Sequence, residues 1–170
     1  MVGRDPEGRL QELGIVLPPP PTPFGAYVEA IQSGPLLFLS GMLPVVGHDP
    51  VYFGRVGEEL STPEGYDAAR TACLSGIAAA RSHLGSLNSV RRISKLGVYI
   101  ATSHTFREHP KVADGASELL LDIFGAERIP PRIVLGVTSI PLGMPVEIEL
   151  ILEIEPSEGF AHQPQTWRQS

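Results

Sequence analysis

Basic residues are scarce in this chain: 13 Lys and Arg stand against 19 Asp and Glu, for a net charge of −6. Tracking a phosphate backbone draws on clustered cations, so nucleic acid is not expected as a partner. The densest basic spot, Arg91-Arg92, reads as the solvated entry to a strand. Cysteine is nearly absent. Cys73 stands alone, which excludes an internal disulfide and any cysteine-based metal site built from one chain. The five histidines (His48, His83, His104, His109, His162) show neither HExxH nor HxxxH spacing, so no metal is expected. No GxGxxG or Walker-type loop occurs, and no nucleotide cofactor is implied. No apolar run approaches the ~20 residues of a membrane span. The opening "MVGRDPEGRL" lacks the basic-then-apolar layout of a signal peptide. A soluble, cytoplasmic protein without a membrane partner is the expectation.

What is present suffices for one core. A chain of 170 residues with 42% hydrophobic content fits a single globular domain. Residues 1–24 read as an appendage. "DPEGRLQEL" (5–13) predicts a short helix closed by Gly14, and "LPPPPTPF" (17–24) is a stiff, donor-poor connector. The domain proper is expected over 25–156. Residues 157–170, polar and aperiodic and carrying Trp167, read as a loose tail.

Within the domain, "AYVEAIQSGPLLFLSGMLP" (26–44) predicts a hairpin, with strands Tyr27 to Ile31 and Leu36 to Ser40 around Ser33-Gly34-Pro35. A short edge strand is expected near Val51 to Phe53. Ser61-Thr62-Pro63-Glu64 then offers an N-cap serine, a first-turn proline and a capping-box glutamate. Tyr66, Ala69, Cys73, Ile77, Ala80 and Leu84 follow at helical spacing up to Gly85, which makes Cys73 a buried, inert thiol. Strict alternation in 91–101 assigns Ile93, Lys95, Gly97, Tyr99 and Ala101 to one face of a strand. A second helix from Pro110 to Phe124 carries the stripe Val112, Ala116, Leu119, Leu120, Ile123. Residues 131–141 and 145–156 complete the strands. Two amphipathic helices and strands with one apolar face each predict an α+β fold, a mixed sheet covered by both helices on one side. The other side of the sheet stays uncovered, an invitation to self-association.

The last strand, "PVEIELILEIEP" (145–156), sets the functional question. Val146, Ile148, Leu150, Leu152 and Ile154 point one way; Glu147, Glu149, Glu153 and Glu155 point the other, interrupted only by Ile151. Four carboxylates on a wet face need no function, yet one of them placed beside a fixed cation would have one. Arg132, at the start of the preceding strand, is either a solvated strand-end residue or a forked cation that clamps a substrate carboxylate. Antiparallel pairing of 132–139 with 146–155 would carry Arg132 towards Ile151 to Glu155 and away from Glu147. A joint site would then draw the two from different subunits.

"PRIVLGVTSIPLGMPVEIEL" closely resembles the C-terminal signature of the RidA/YjgF family: Pro-Ala-Arg, a hydrophobic strand, Leu-Pro, a short turn, Val-Glu-Ile-Glu. The arginine-to-glutamate separation also agrees, and the hairpin at 26–44 resembles the family's first hairpin. The resemblance covers roughly residues 25–155 and looks most like a longer, less characterised branch. It implies a chorismate-mutase-like α+β fold assembled as a homotrimer, with active sites in clefts between subunits. It further implies cofactor-free hydrolysis of reactive 2-imino or enamine acids to 2-keto acids and ammonia. Carried over by motif, Arg132 would clamp the substrate carboxylate and Glu147 would direct the attacking water. Tyr27 would line the pocket, Ser40 and Gly41 would form a polar backbone corner, and the backbone N–H of Val134 would sit where the family often has cysteine. Val134, Met42 (for a frequent glutamine) and Pro131 (for alanine) depart from the usual pattern. The alternative is a non-catalytic trimer that holds small carboxylates or contacts other proteins. The family's historical endoribonuclease label sits poorly with the acidic balance.

Overall fold

The long helix begins where local chemistry places it. In the computed structural model, which describes residues 5–155, helix α2 (Thr62–Leu84) is opened by Ser61. The Ser61 side chain accepts the Glu64 N–H, and the Glu64 carboxylate accepts the Ser61 N–H at 2.7 Å, so both halves of the capping box are made. Gly85, at φ 78°, ends it. Helix α3 (His109–Phe124) buries the predicted stripe of Val112, Ala116, Leu119, Leu120 and Ile123 almost completely. Small residues let these elements approach. A Cβ at Gly115 of α3 would collide with the carbonyl oxygen of Tyr66 on α2, so the two backbones touch there. A Cβ at Gly76 would come within 3.0 Å of Leu150 and 3.3 Å of Met42, where α2 crosses the sheet.

The main sheet contains β1 (Ala30–Ser33), β2 (Leu36–Leu39), β5 (Val90–Ala101), β6 (Arg132–Val137) and β7 (Val146–Ile154), in the order β1-β2-β7-β5-β6. All neighbours are antiparallel except β5 and β6, which run parallel through the α3 crossover. The minimal hairpin β3 (Val45–Val46) and β4 (Asp49–Pro50) stands outside it. Alternation in β7 is complete, its five apolar side chains buried and the intervening residues half-buried. The fold is α+β, as the patterning predicts, but with three helices against the sheet. Helix α1 (Pro6–Glu12) packs on α3, its Leu10 only 4% exposed. Its Glu7 carboxylate accepts the Leu87 N–H and pairs with Arg81 at 3.0 Å.

Several expectations need correction. The predicted pairing of 132–139 with 146–155 does not form, because β5 lies between β6 and β7. The segment 138–145 does not turn back as a hairpin. It crosses the end of β5 through a 3-10 turn at Pro141–Gly143, in which Leu142 (φ 59°) and Gly143 (φ 72°) both adopt left-handed backbone. Ile93 leaves the face assigned by strict alternation. Residues Arg91 and Ser94 bulge from the ladder with β7, and the second bulge brings Ile93 to the helix side with Leu96, Val98 and Ile100. Tyr27 precedes the first strand, which starts at Ala30, and Ser40 follows the second. The short edge pairing uses Asp49–Pro50, not Val51 to Phe53. Trp167 and the tail at 157–170 lie outside the described residues.

Candidate functional site

Among the described residues, Glu147 differs from Glu149, Glu153 and Glu155 in having no partner. Glu149 accepts the Tyr99 hydroxyl at 2.9 Å. Glu153 pairs with Arg92 at 3.0 Å and Arg91 at 3.6 Å, and Glu155 with Arg91 at 3.4 Å. Glu147 has no hydrogen bond or ion pair among the described residues, is half-buried, and its pKa is raised by that burial.

The backbone beside it explains the burial. Past β2 the chain makes one isolated bridge to β7: the Met42 N–H donates to Ile148 O at 2.7 Å, and the Ile148 N–H to Met42 O at 2.8 Å. Gly41 is thereby set against Glu147, whose carboxylate lies across the glycine so closely that a Cβ would collide with Oε1. Ser40 secures the opposite wall. Its hydroxyl donates to Val28 O at 2.6 Å and its N–H to Glu29 O at 2.9 Å. Tyr27 is held in the bend that precedes β1, where its phenolic oxygen accepts the Phe24 N–H at 3.0 Å. Tyr27, Ser40, Gly41 and Glu147 line one cavity of about 500 Å³.

Sequence reasoning missed its apolar walls, Phe24, Leu43, Pro141 and Leu142. Phe24 ends the proline connector, which serves here as part of the pocket rim. Its ring stacks on His48 at 4.2 Å, and Thr22 Oγ1 lies 2.9 Å from His48 Nδ1. A bulky aromatic at the end of a rigid segment was the available signal. Nothing local announces Leu142, because its left-handed backbone disfavours a branched side chain with a Cβ. Met42, by contrast, is 1% exposed and faces α2, so this departure from the family pattern alters packing and not the pocket.

Arg132 and Val134 lie elsewhere. In register, Arg132 sits opposite Leu96, which sits opposite Leu150; Glu147 sits opposite Tyr99, which sits opposite Leu135. The two are two strands and three residues apart, roughly 14 Å of sheet. They also face opposite sides. The Arg132 guanidinium turns to α3, donating from NH1 to Asp114 Oδ1 at 2.7 Å and Ser117 Oγ at 2.9 Å. The Leu96 N–H donates to Pro131 O at 3.2 Å, so alternate β6 residues face β5 and the Val134 N–H points out from the free edge. One chain thus carries a carboxylate pocket at one place and an anchored cation with an open N–H at another.

A family model described as "YjgF/chorismate mutase-like, putative endoribonuclease" matches residues 7–154. The chain belongs to the YjgF family. It is 38% identical over 146 residues to Protein TCP17 of Trypanosoma cruzi, covering 85% of this chain and 91% of that protein. Among solved structures, one from Shewanella oneidensis, described as a putative endoribonuclease, is 32% identical. It has a TM-score of 0.85 and covers 89% of this chain and 100% of that one. RidA from a Psychrobacter species is 26% identical with a TM-score of 0.55, covering 79% of this chain and 94% of that one. The YjgF match begins within α1, so the family relationship extends further towards the amino end than the motif resemblance at 25–155.

Proposed function

We propose that this YjgF-family protein is a cofactor-free hydrolase. It converts reactive 2-imino or enamine acids to 2-keto acids and ammonia, at clefts between the subunits of a homotrimer. The observation that carries the reading is the unpartnered, half-buried Glu147 with its raised pKa. A carboxyl group with such a pKa is matched to shuttling protons nearer neutrality than an ordinary glutamate.

The chemistry asks little else. The substrate iminium is already electrophilic and needs a water, a base and a fixed orientation. Glu147 takes a proton from water as oxygen bonds to the imine carbon, and returns it to nitrogen. It then takes the hydroxyl proton as the C–N bond breaks, and hands it to the departing ammonia as ammonium. Arg132 of a neighbouring subunit binds the substrate carboxylate through the guanidinium donors that Asp114 and Ser117 leave over, and the outward Val134 N–H adds a further donor. Tyr27 spends its oxygen on Phe24 and keeps its proton for the ligand. The apolar walls formed by Phe24, Leu43 and Leu142 exclude bulk water and favour substrates with an apolar side chain. The test generates 2-iminobutyrate in situ and follows its loss. Wild type accelerates hydrolysis over buffer; Glu147→Ala loses most of that acceleration, and Arg132→Ala retains only a small part of it at low substrate. A wild type that matches buffer across several imino acids rejects the reading in favour of a carboxylate-binding module.

A further inference from the structure

The carboxyl ends of the parallel pair β5 and β6 open on a second cleft, of about 610 Å³, that shares no lining residue with the pocket beneath Glu147. Two arginines, Arg55 and Arg107, and two histidines, His104 and His109, stand in its wall against one acid, Glu58. On a chain of net charge −6 this is a local reversal of sign.

Both guanidinium groups are fixed from the backbone. Arg55 donates from NH2 to Thr138 O at 2.7 Å; Arg107 donates from NH1 to His104 O at 2.9 Å and Phe106 O at 2.8 Å. Each fork is oriented by these bonds, and Nε and NH2 of Arg107 have no protein acceptor among the described residues. Glu58 does not neutralise the cleft: it lies 3.8 Å from Arg55, in an exposed pair of the kind that solvent screens. His109 is held as firmly. Its ring meets Phe106 edge-on at 5.0 Å, and a Cβ at Gly136 would come within 2.5 Å of its Nε2, so only glycine at that point of β6 admits the imidazole. Thr102 Oγ1 stands 3.5 Å from the same nitrogen. The amino end of α3, sixteen residues long, adds its partial positive charge.

We propose that this cleft is a binding site for a small ligand bearing a phosphoryl group, clasped between Arg55 and Arg107 with His109 and Thr102 as further donors. Guanidinium forks, an imidazole, a hydroxyl and a helix amino end together suit a tetrahedral dianion better than a planar carboxylate. The site does not depend on the deaminase reading, since none of its residues takes part in that chemistry.

The test is an NMR titration of the imidazole signals of the full chain with inorganic phosphate, at fixed pH and ionic strength. Saturable shifts are expected at His104 and His109 and not at His48 or His83, with Kd of about 1 mM or tighter. Arg107→Gln, on an exposed loop residue, should weaken binding at least about tenfold, and Arg132→Ala should leave it unchanged. Malonate at the same ionic strength should bind more weakly than phosphate. The proposal is overturned by shifts that do not saturate, by equal shifts with chloride alone, by malonate binding as tightly as phosphate, or by an Arg107→Gln affinity equal to wild type.

Discussion

At Glu147 a single side chain links strand patterning to the proposed chemistry. Glu149 accepts the Tyr99 hydroxyl, and Glu153 and Glu155 pair with Arg91 and Arg92, while Glu147, without a partner among the described residues, lies against a glycine in an apolar pocket. Glu147→Gln should therefore lower kcat by about 10²- to 10⁴-fold, the usual contribution of a positioned acid–base group. It should also raise Tm at neutral pH. Between the ordinary glutamate value and its raised value in the fold, the native chain holds more protons than the unfolded one, so stability falls as pH climbs through that window. Glutamine removes the desolvated charge and with it that loss. The same shift places the acid limb of the kcat profile above the usual glutamate range, measurable by steady-state rates against pH. Gly41→Ala should reproduce the loss of activity by displacing the carboxylate. Cys73 is the opposite case. Burial pushes its thiol up to about 12, so it should resist alkylation in the folded protein and react at the ordinary rate once denaturant unfolds the chain.

The elements divide by how local their instructions are. Helix α2 is legible because Ser61, Pro63, Glu64 and Gly85 write its ends within a few residues, and β7 because alternation has a period of two. The position of β6 was not legible. It follows from competition for the flank of β7, which the twelve-residue β5 wins, and no residue of β6 announces that outcome. The bulge at Ser94 escaped for a related reason: one unpaired residue flips Ile93 to the core while the sequence still alternates. In the candidate site, Tyr27, Ser40, Gly41 and Glu147 were nameable through motif resemblance, whereas Leu142 depends on a turn that its own residue type disfavours. The contact of α2 with α3 offers a sharp test of packing. Gly115→Ala forces a methyl group against the Tyr66 carbonyl, and overpacking of this kind costs about 1–3 kcal/mol. A fall in Tm of roughly 2–10 °C should follow in a chain of this size.

At the scale of the whole molecule, the division of the proposed site is the main consequence of the fold. Arg132 and Val134 are on the free edge strand and Glu147 lies across the sheet on the other face, so no single substrate reaches both within one chain. The uncovered sheet face, with Ile133 38% and Leu135 45% exposed, supplies the apolar surface that self-association would bury. On the proposed homotrimer, sedimentation or light scattering should report three subunits, and Arg132→Ala should raise KM, lowering kcat/KM roughly 10- to 100-fold through loss of a charge-assisted contact. The most direct test of the shared site mixes two impaired variants, assayed at substrate concentrations well below the KM of either. Arg132→Ala and Glu147→Gln chains, co-expressed in equal amounts and assembled at random, place an intact arginine opposite an intact glutamate at about a quarter of the interfaces of a cyclic trimer. Recovery of about that fraction of wild-type imine hydrolysis is expected; activity no greater than that of either variant alone would contradict a site built from two subunits.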